Sequence, residues 1–329
     1  MVQDNRFHFE ALFPETIFKT VTVQGFRPNG YLTPLNSYEN RVYEIGLEDA
    51  TPIVAKYYRP GRWSLEAIAE EHRFLSALRE VEIPVVSPLP LLQHLAEAET
   101  ISQSGDIFYA FFPKFRGREH DEILNDDRRW LGRTLGRLHN VGEHFQARHR
   151  LVLSPETYGT ASLEFILTQT FLPTDLKKNI EAHLLRALEL IRPFFFDKLK
   201  AIAVHGDCHP GNILWNRDGP CLVDFDDMVV VPPVQDVWML FYGSREEMKE
   251  QREIFFEGYE MFRKFDHATL RLTEPLRTLR MIRHAAWIGQ RYAEGAFKRA
   301  FPYFEERRYW EEFLLGIKEQ ISLLQEEGG

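Results

Sequence analysis

The stretch from Val204 to Phe225, VHGDCHPGNILWNRDGPCLVDF, constrains the fold more than any other part of the chain. Its first half places dense polar side chains between apolar residues, and its second half has short β-type runs on both sides of an Asp218-Gly219 dipeptide. An Asp-Gly pair between apolar runs is a strong signal for a β-hairpin with a tight turn. The stretch therefore predicts a polar loop that leads directly into a hairpin.

Two oxygen-bearing side chains, Asn212 and Asp224, lie on opposite arms of this predicted hairpin. Each is six residues from Asp218, so we expect a turn there to bring them side by side, about 5 Å apart as cross-strand neighbours are. An amide oxygen and a carboxylate at that distance can share one metal ion. Ligands of this kind suit Mg²⁺, which takes its remaining ligands from water and phosphate.

Asp207 precedes Asn212 by five residues and completes the pattern H-G-D-x-x-x-x-N. In the kinase catalytic loop, H-R-D-x-x-x-x-N, the Asp accepts the proton of the substrate hydroxyl and the Asn binds Mg²⁺. The pattern indicates phosphoryl transfer with Asp207 as the base. A zinc site from His205, Cys208 and His209 is the competing interpretation, but these residues lack the spacing typical of zinc ligands.

The sequence before residue 113 mixes helical and β-type patterns. The predicted strands cover residues 31–36, 40–46, 51–58, 91–95 and 107–112. One helix is predicted to begin at Pro14 and to stop before Gly25, and a second to begin after Ser64 as its N-cap and to end before Pro84.

From about residue 125 the pattern becomes mainly helical, apart from the hairpin. Helices are predicted at 126–142, with Asp126 as a candidate cap, and at 276–293 and 309–324. We therefore predict two lobes: a nucleotide-binding lobe at 1–112, a hinge at 113–118, and a larger helical catalytic and substrate lobe at 119–329.

A nucleotide-binding lobe of a kinase needs a lysine on a central strand and a helical glutamate that steadies it. Lys56 lies in the apolar run IVAKYY, which would bury its stem. In the following helix Glu71 shares a face with apolar residues, whereas Glu70 points away from that face. We predict that Lys56 binds the phosphates of ATP, that Glu71 holds it, and that replacement of Glu70 has little effect.

The loop between the first two predicted strands has no G-x-G-x-x-G sequence and reads LNSYEN instead. Small polar residues can still offer backbone N–H groups and a hydroxyl to phosphate oxygens. Ser37 is therefore our candidate contact with ATP, and an ordinary polar turn is the alternative.

Composition and charge narrow the class of protein. The chain has 329 residues, of which 44% are hydrophobic, so it can bury a sizeable core, and its net charge of −9 disfavours a nucleic acid partner. We expect no signal peptide in the first residues and no membrane-spanning segment, since no apolar run approaches about 18 residues. The chain has two cysteines, so we expect a cytoplasmic protein without disulfides.

Several stretches together resemble one family: LTPLNSYENRVYE, AKYYRPGRW, HGDCHPGNILW, LVDFDD, PPVQDVWML and EPLRTLR. They are similar to the bacterial stress response kinase A family, within the wider aminoglycoside phosphotransferase and choline kinase group. The likeness runs from about residue 7 into the final helices. H-G-D-x-x-x-x-N specifies only the wider group, and NSYENRVY and VQDVWML narrow it.

The resemblance implies an α+β, bilobed protein-kinase-like fold, with an antiparallel sheet and a helix in the small lobe. It also implies ATP-dependent Ser/Thr protein kinase activity, including autophosphorylation, in a cytoplasmic stress response. We expect the protein to be a monomer. Asp207 would be the proton acceptor, Asn212 and Asp224 the Mg²⁺ ligands, and Ser37 the ATP-loop contact.

The adenine contacts implied by the resemblance are the Pro113 carbonyl and the Phe115 N–H. A proline can serve at the first position because only its carbonyl is needed. The sequence departs from protein kinases in two places, since DFD replaces D-F-G and no A-P-E follows.

The alternative function is a kinase for small-molecule hydroxyls. Only eleven residues separate Asp224 from Asp236, which is too few for a long regulated activation loop or a wide peptide platform. A catalytically silent nucleotide-binding module is a further alternative, and the intact Asp207 and Lys56 argue against it.

Overall fold

The computed structural model of the chain describes residue 9 and residues 12–96, 98–196 and 199–327. The opening residues, for which no signal peptide is expected, lie largely outside these ranges. The strands are β1 Pro28–Pro34, β2 Arg41–Leu47, β3 Ile53–Tyr57, β4 Ser102–Ser104, β5 Ile107–Pro113, β6 Ile202–Val204, β7 Ile213–Asn216, β8 Gly219–Leu222 and β9 Val229–Val231. The helices are α1 Pro14–Val23, α2 Leu65–Glu80, α3 Asn125–His144, α4 Ala161–Thr168, α5 Thr174–Phe196, α6 Val234–Val237, α7 Arg245–Tyr259, α8 Thr273–Arg291, α9 Gly295–Ala300 and α10 Arg307–Glu327.

An antiparallel sheet of five strands, in the order β1-β2-β3-β5-β4, organises the N-terminal part. Lys56 lies on the central strand β3, paired with Val42 of β2 and Ala110 of β5. The sheet and the mainly helical remainder confirm the predicted α+β class. The strand predicted at 91–95 is wrong, because this segment folds into local turns (Leu95 bridges to Ala98) and β4 pairs with β5 instead.

Helix α2 follows the sheet's central strand and carries Glu70 and Glu71. The Ser64 hydroxyl accepts a hydrogen bond from the Ala67 N–H, so the predicted N-cap is confirmed. Ile68, Leu75 and Leu78 are buried on one face of the helix, as its apolar periodicity predicts.

Helices α3 and α7 approach each other closely through glycines. A Cβ built on Gly132 would lie 2.2 Å from the Phe255 carbonyl oxygen, and one built on Gly258 would lie 2.0 Å from the Arg129 carbonyl oxygen. Backbone therefore packs on backbone here, a contact that only glycine permits. The prediction that Asp126 caps α3 is wrong: the N-cap is Leu124, and Asp126 lies in the first turn.

The chain forms two compact units. The first comprises residues 1–150, 203–228 and 239–265, and the second comprises 151–202, 229–238 and 266–329. The first unit contains the sheet, α2, α3, the β7–β8 hairpin and α7, and the second contains α4, α5 and α8 to α10. The lobe boundaries at residues 112 and 119 stay a prediction. Within the described ranges no helix is long and apolar enough to cross a membrane.

Candidate active site

The loop after β6 is organised by a buried histidine. His205 Nε2 donates to the Val223 carbonyl at 2.9 Å, and its Nδ1 accepts the Asp207 N–H at 3.3 Å. A carbonyl only accepts and an amide N–H only donates, so these contacts assign the neutral Nε2–H tautomer. Gly206 allows the sharp turn between them with a φ of +88°. His205 therefore ties the Asp207 loop to the end of β8.

Asp207 and Asn212 contact each other through the backbone of this loop. The Asn212 side-chain N–H donates to the Asp207 carbonyl at 2.9 Å, and His209 Nε2 lies 3.5 Å from the Asp207 carboxylate. The Asp207 side chain is 22% exposed, so an acceptor hydroxyl can reach it. The contact also fixes the amide of Asn212 so that its oxygen remains available to a ligand.

The predicted hairpin is present, but its register differs by one residue from our expectation. Asn216 pairs with Gly219, and the Asp218 N–H donates to the Asn216 side-chain oxygen at 2.8 Å. This Asx-type contact makes residues 217–218 the turn and shifts the centre of the hairpin. Asn212 consequently lies opposite Val223, whose N–H donates to the Asn212 carbonyl at 3.1 Å.

Asp224 follows directly and leaves the strand in the left-handed conformation, with φ +61° and ψ +67°. Its carboxylate is 54% exposed, and Oδ1 lies 3.4 Å from Lys56 Nζ. Asp224 directly follows Val223, the residue whose N–H donates to the Asn212 carbonyl. A metal ion shared by the Asn212 and Asp224 side chains stays a prediction.

The donor set at Asn212 and Asp224 fits a hard divalent cation. Both side chains offer oxygen atoms, one from an amide and one from a half-exposed carboxylate, as Mg²⁺ and Ca²⁺ prefer. Among the described residues no group of three or more His, Cys, Asp or Glu side chains could hold a metal ion. Two protein ligands suit an ion that takes the remainder from water and phosphate.

The predicted ion pair between Lys56 and Glu71 is present. Lys56 Nζ lies 3.5 Å from Glu71 Oε1, and both side chains are buried. Arg150 Nη2 donates to the other Glu71 oxygen at 2.7 Å. Burial raises the pKa of Glu71 in spite of these two cations. For Lys56, burial alone would lower the pKa, but the carboxylates of Asp226, Glu71 and Asp224 outweigh it and raise the pKa well above its ordinary value.

Asp226 is a site residue that the sequence interpretation missed. Its buried carboxylate lies 3.2 Å from Lys56 Nζ, closer than Glu71, and also contacts Arg62. Burial would raise the pKa of Asp226, but Arg62, Lys56 and Arg150 hold it well below its usual range. The available signal was the DFD sequence, in which an aspartate stands where D-F-G has glycine.

The structure argues against the small effect that we expect from replacement of Glu70. Glu70 is buried, and its carboxylate accepts the backbone N–H groups of Arg148, His149 and Arg150 at 2.8, 2.8 and 2.9 Å. It points away from the apolar face of α2, as predicted, but toward another segment of the chain and not toward solvent. Periodicity along one helix does not reveal such a tertiary partner.

The remaining predicted contacts lie in the β1–β2 loop and after β5. The Ser37 hydroxyl oxygen accepts the Asn40 N–H at 3.3 Å, so its own hydrogen can still be donated. Pro113 ends β5 and is exposed, and Phe115 is half-buried in the segment that follows. The Phe115 N–H makes no hydrogen bond within the described ranges.

A lysine–glutamate pair, an H-G-D-x-x-x-x-N loop and a following aspartate, all within one unit, define a phosphotransferase site of the kinase type. The model of the Phosphotransferase enzyme family matches residues 32–273, and the chain belongs to this family. It is 36% identical over 325 residues to stress response kinase A of Escherichia coli K12, covering 99% of this chain and 97% of that protein. This similarity confirms the resemblance to the stress response kinase A family.

A second relative is the serine/threonine protein kinase RdoA of Salmonella typhimurium, 38% identical over 330 residues and covering 99% of this chain and 97% of that one. Among solved structures, amicoumacin kinase hAmiN in complex with AMP-PNP, Ca²⁺ and Ami has a TM-score of 0.72 at 19% identity. The alignment covers 91% of this chain and 92% of that one. This likeness establishes the kinase-like fold of the chain.

Proposed function

We propose that this phosphotransferase transfers the γ-phosphoryl group of Mg·ATP to Ser or Thr hydroxyls of proteins, itself included, in a bacterial stress response. The observation that carries the proposal is the proximity of Lys56 to both Glu71 and Asp224, at 3.5 and 3.4 Å. This proximity brings the predicted phosphate-binding lysine, Lys56, next to the predicted metal ligand Asp224. The similarity to stress response kinases along nearly the whole chain supports the acceptor class and the physiological setting.

Each residue has a distinct role in the proposed reaction. Asp207 orients the acceptor hydroxyl and takes its proton on a carboxylate oxygen as the new P–O bond forms, while the bond from the γ-phosphorus to the β–γ bridging oxygen breaks and ADP leaves. ATP is the donor of the phosphoryl group. Asn212 and Asp224 would be the protein ligands of the Mg²⁺ ion, which would neutralise charge on the phosphates when bound. Lys56, held by Glu71, donates to phosphate oxygens.

The nucleotide contacts complete the proposal. The unpaired N–H of Phe115 and the carbonyl of Pro113 would bind the adenine edge, and the Ser37 hydroxyl would donate to a phosphate oxygen. Serine and backbone N–H groups can replace a glycine-rich loop because phosphate needs only well-placed donors.

A small-molecule acceptor is the second candidate function. Only eleven residues lie between Asp224 and Asp236, which leaves little chain for a peptide-binding platform. The fold likeness to a protein named amicoumacin kinase favours the same alternative.

The deciding experiment incubates the purified protein with γ-labelled ATP and Mg²⁺, alone, with generic protein substrates, and with amino alcohols. We expect label on Ser or Thr of the protein itself and of protein substrates, and no label with Asp207→Asn. If only the amino alcohols become labelled, the protein is a small-molecule kinase and the proposed protein acceptor is wrong. No transfer to any acceptor would contradict the proposed function. A phosphoproteome comparison of cells with and without the protein would then identify the physiological substrate.

A further inference from the structure

Arg62, in the loop between β3 and α2, contacts three carboxylates and has no role in the reaction described above. One guanidinium nitrogen, Nη1, contacts Asp226 and lies 3.7 Å from Glu39 Oε2. The other, Nη2, donates to Asp227 Oδ1 at 2.6 Å. Arg62, Glu39 and Asp226 are nearly or wholly withdrawn from water, so these are strong contacts between poorly solvated charges.

Asp226 connects this arginine to the predicted phosphate-binding lysine. Its Oδ2 contacts Arg62, and its Oδ1 lies 3.2 Å from Lys56 Nζ. Glu71 and Asp224 lie farther from the same ammonium, at 3.5 and 3.4 Å. Asp226 is therefore the nearest anion to Lys56, and Arg62 holds that anion in place.

Glu39 connects the same arginine to the loop between β1 and β2, which carries Ser37. Arg59 also holds this loop, since its Nε lies 2.8 Å from Glu39 Oε1 and its backbone N–H donates to the Asn40 side chain at 3.1 Å. Arg62 contacts both this loop, through Glu39, and the DFDD segment at 224–227, through Asp226. The two segments that flank the proposed phosphate position are thus joined through one guanidinium.

Stabilisation of the fold does not by itself explain why these charges are buried together. A buried ion pair is seldom more stabilising than a well-packed apolar pair of the same volume, because both charges lose their hydration. Arginine does, however, fix geometry, since its planar fork offers several donors in set directions. The guanidinium of Arg62 contacts three carboxylates in this way, one in the β1–β2 loop and two in the DFDD segment.

We propose that the Arg62–Asp226 pair is a positioning device for the phosphates of ATP. Through Asp226 it sets the position of Lys56 Nζ, and through Glu39 it sets the β1–β2 loop. Glycine, which D-F-G has at this position, could not form the pair because it has no side chain. The inference rests on the proposed function, in which Lys56 and Ser37 contact ATP.

The test compares Arg62→Gln, Asp226→Asn, the double variant and Arg62→Lys with wild type. The double variant removes one charge of each sign, so it keeps the net charge of the buried cluster and is the variant expected to fold best. Arg27→Gln is the matched control, because Arg27 pairs with Asp49 at an exposed surface. Three quantities are measured: the affinity for AMP-PNP with Mg²⁺ by calorimetry, kcat and KM for ATP, and hydrogen exchange of residues 35–41 without nucleotide.

In the double variant we expect AMP-PNP affinity to fall roughly tenfold and kcat/KM for ATP to fall on the order of 10–100-fold, as misplacement of binding groups does. Exchange in the β1–β2 loop should be faster, Arg62→Lys should be intermediate, and Arg27→Gln should match wild type in all three measurements. A folded double variant with AMP-PNP affinity, kcat/KM and loop exchange all within twofold of wild type would overturn the inference.

The outcomes also separate this inference from the proposed function. If the wild-type protein binds AMP-PNP but phosphorylates no protein, the proposed protein acceptor is wrong. The binding and exchange measurements then still decide whether the Arg62–Asp226 pair positions the phosphates. Wild type that does not bind AMP-PNP with Mg²⁺ overturns both.

Discussion

Asp224 is one of two residues other than glycine with a positive φ in the described part of the chain; the other is Glu82. A left-handed conformation at a residue with a Cβ costs of order 1–3 kcal/mol and persists where the surroundings impose it. At Asp224 this conformation turns the chain out of β8 and leaves the carboxylate half exposed, beside Lys56. Strain is thus localised at the proposed metal ligand.

Replacement of the two proposed metal ligands should have graded effects. Asp224→Ala removes an anionic ligand, so we expect the Mg²⁺ concentration needed for half-maximal AMP-PNP binding to rise strongly. Asn212→Ala removes a neutral ligand and should raise it less. Titration of Mg²⁺ at fixed AMP-PNP measures both, and an unchanged metal requirement in the two variants would exclude a shared ion.

Asp207→Asn tests the proposed base without changing the shape of the loop. The backbone contacts of Asp207 to His205 and Asn212 do not involve its carboxylate, so we expect folding and AMP-PNP binding to persist. Phosphoryl transfer should fall about 10²–10⁴-fold, the usual contribution of a general base. Turnover within twofold of wild type would remove Asp207 from this role.

At the scale of elements, helix α2 is held by two adjacent glutamates that face different partners. Glu71 contacts Lys56 and Arg150, and Glu70 accepts three backbone N–H groups of residues 148–150. The Arg150 side chain in turn donates to the Asp226 carbonyl at 3.0 Å. The rotation of α2 is therefore fixed by contacts on two of its sides.

Glu70→Gln should destabilise the protein, contrary to the expectation from helix periodicity. Glutamine keeps one acceptor oxygen but turns an NH₂ group toward the N–H groups of residues 148–150, of which that of Arg150 is buried. A buried group left unpaired costs about 1–3 kcal/mol. Urea unfolding measures the loss of free energy. Glu80→Gln, an exposed position of the same helix, is the control and should stay within about 0.5 kcal/mol of wild type. Equal stability of the two variants would contradict the importance of the Glu70 contacts.

The close contact of α3 and α7 predicts a second effect at this scale. Gly132→Ala would place a methyl group 2.2 Å from the Phe255 carbonyl oxygen, so we expect a loss of about 1–3 kcal/mol from overpacking. Gly316→Ala in α10 meets only the flexible end of Met281, at 3.0 Å. Since alanine favours helix by about 1 kcal/mol over glycine, this control should be neutral or slightly stabilising. Thermal unfolding compares the two, and a Gly132 variant as stable as wild type would disprove the close packing.

At the scale of the whole molecule, one buried histidine should make stability depend on pH in the range below neutrality. His72 Nε2 lies 2.8 Å from the Tyr58 hydroxyl, and its Nδ1 lies 2.6 Å from the Thr100 hydroxyl. Burial, aided by the nearby positive charges of Lys56 and Arg150, lowers the pKa of His72 to about 3. The unfolded chain, with a pKa near 6.5 for histidine, binds this proton first as pH falls, so acid favours unfolding.

We expect His72 to cost about 1.4 kcal/mol of stability per pH unit below about pH 6. The depressed pKa of Asp226 acts in a separate window: its stabilisation is present above about pH 4 and is lost below it as the carboxylate is protonated. Urea unfolding at pH 7, 6 and 5 should therefore show a loss of stability with falling pH that His72→Gln reduces. The exposed His94→Gln variant should keep the wild-type slope, and an unchanged slope in His72→Gln would refute the assignment.

The sequence predicted the elements better than their mutual geometry. Periodicity and motif spacing, which are local properties, predicted β1, β2, β3, β5, α2, the hairpin and the Lys56–Glu71 pair, but not β4. The hairpin register depended on the side chain of Asn216, and the roles of Asp226 and Glu70 depend on partners far away in the chain. No pattern within a single element encodes those partners.

The fixed rotation of α2 also bears on how a cell would control this enzyme. A helix anchored through Glu70 to three backbone groups and through Glu71 to two cations cannot swing away without breaking both sets of contacts together. We therefore expect the protein to be active as soon as it is folded, with no separate activation event. The cell would then control the total kinase activity through the amount of the protein, which its rates of synthesis and degradation determine.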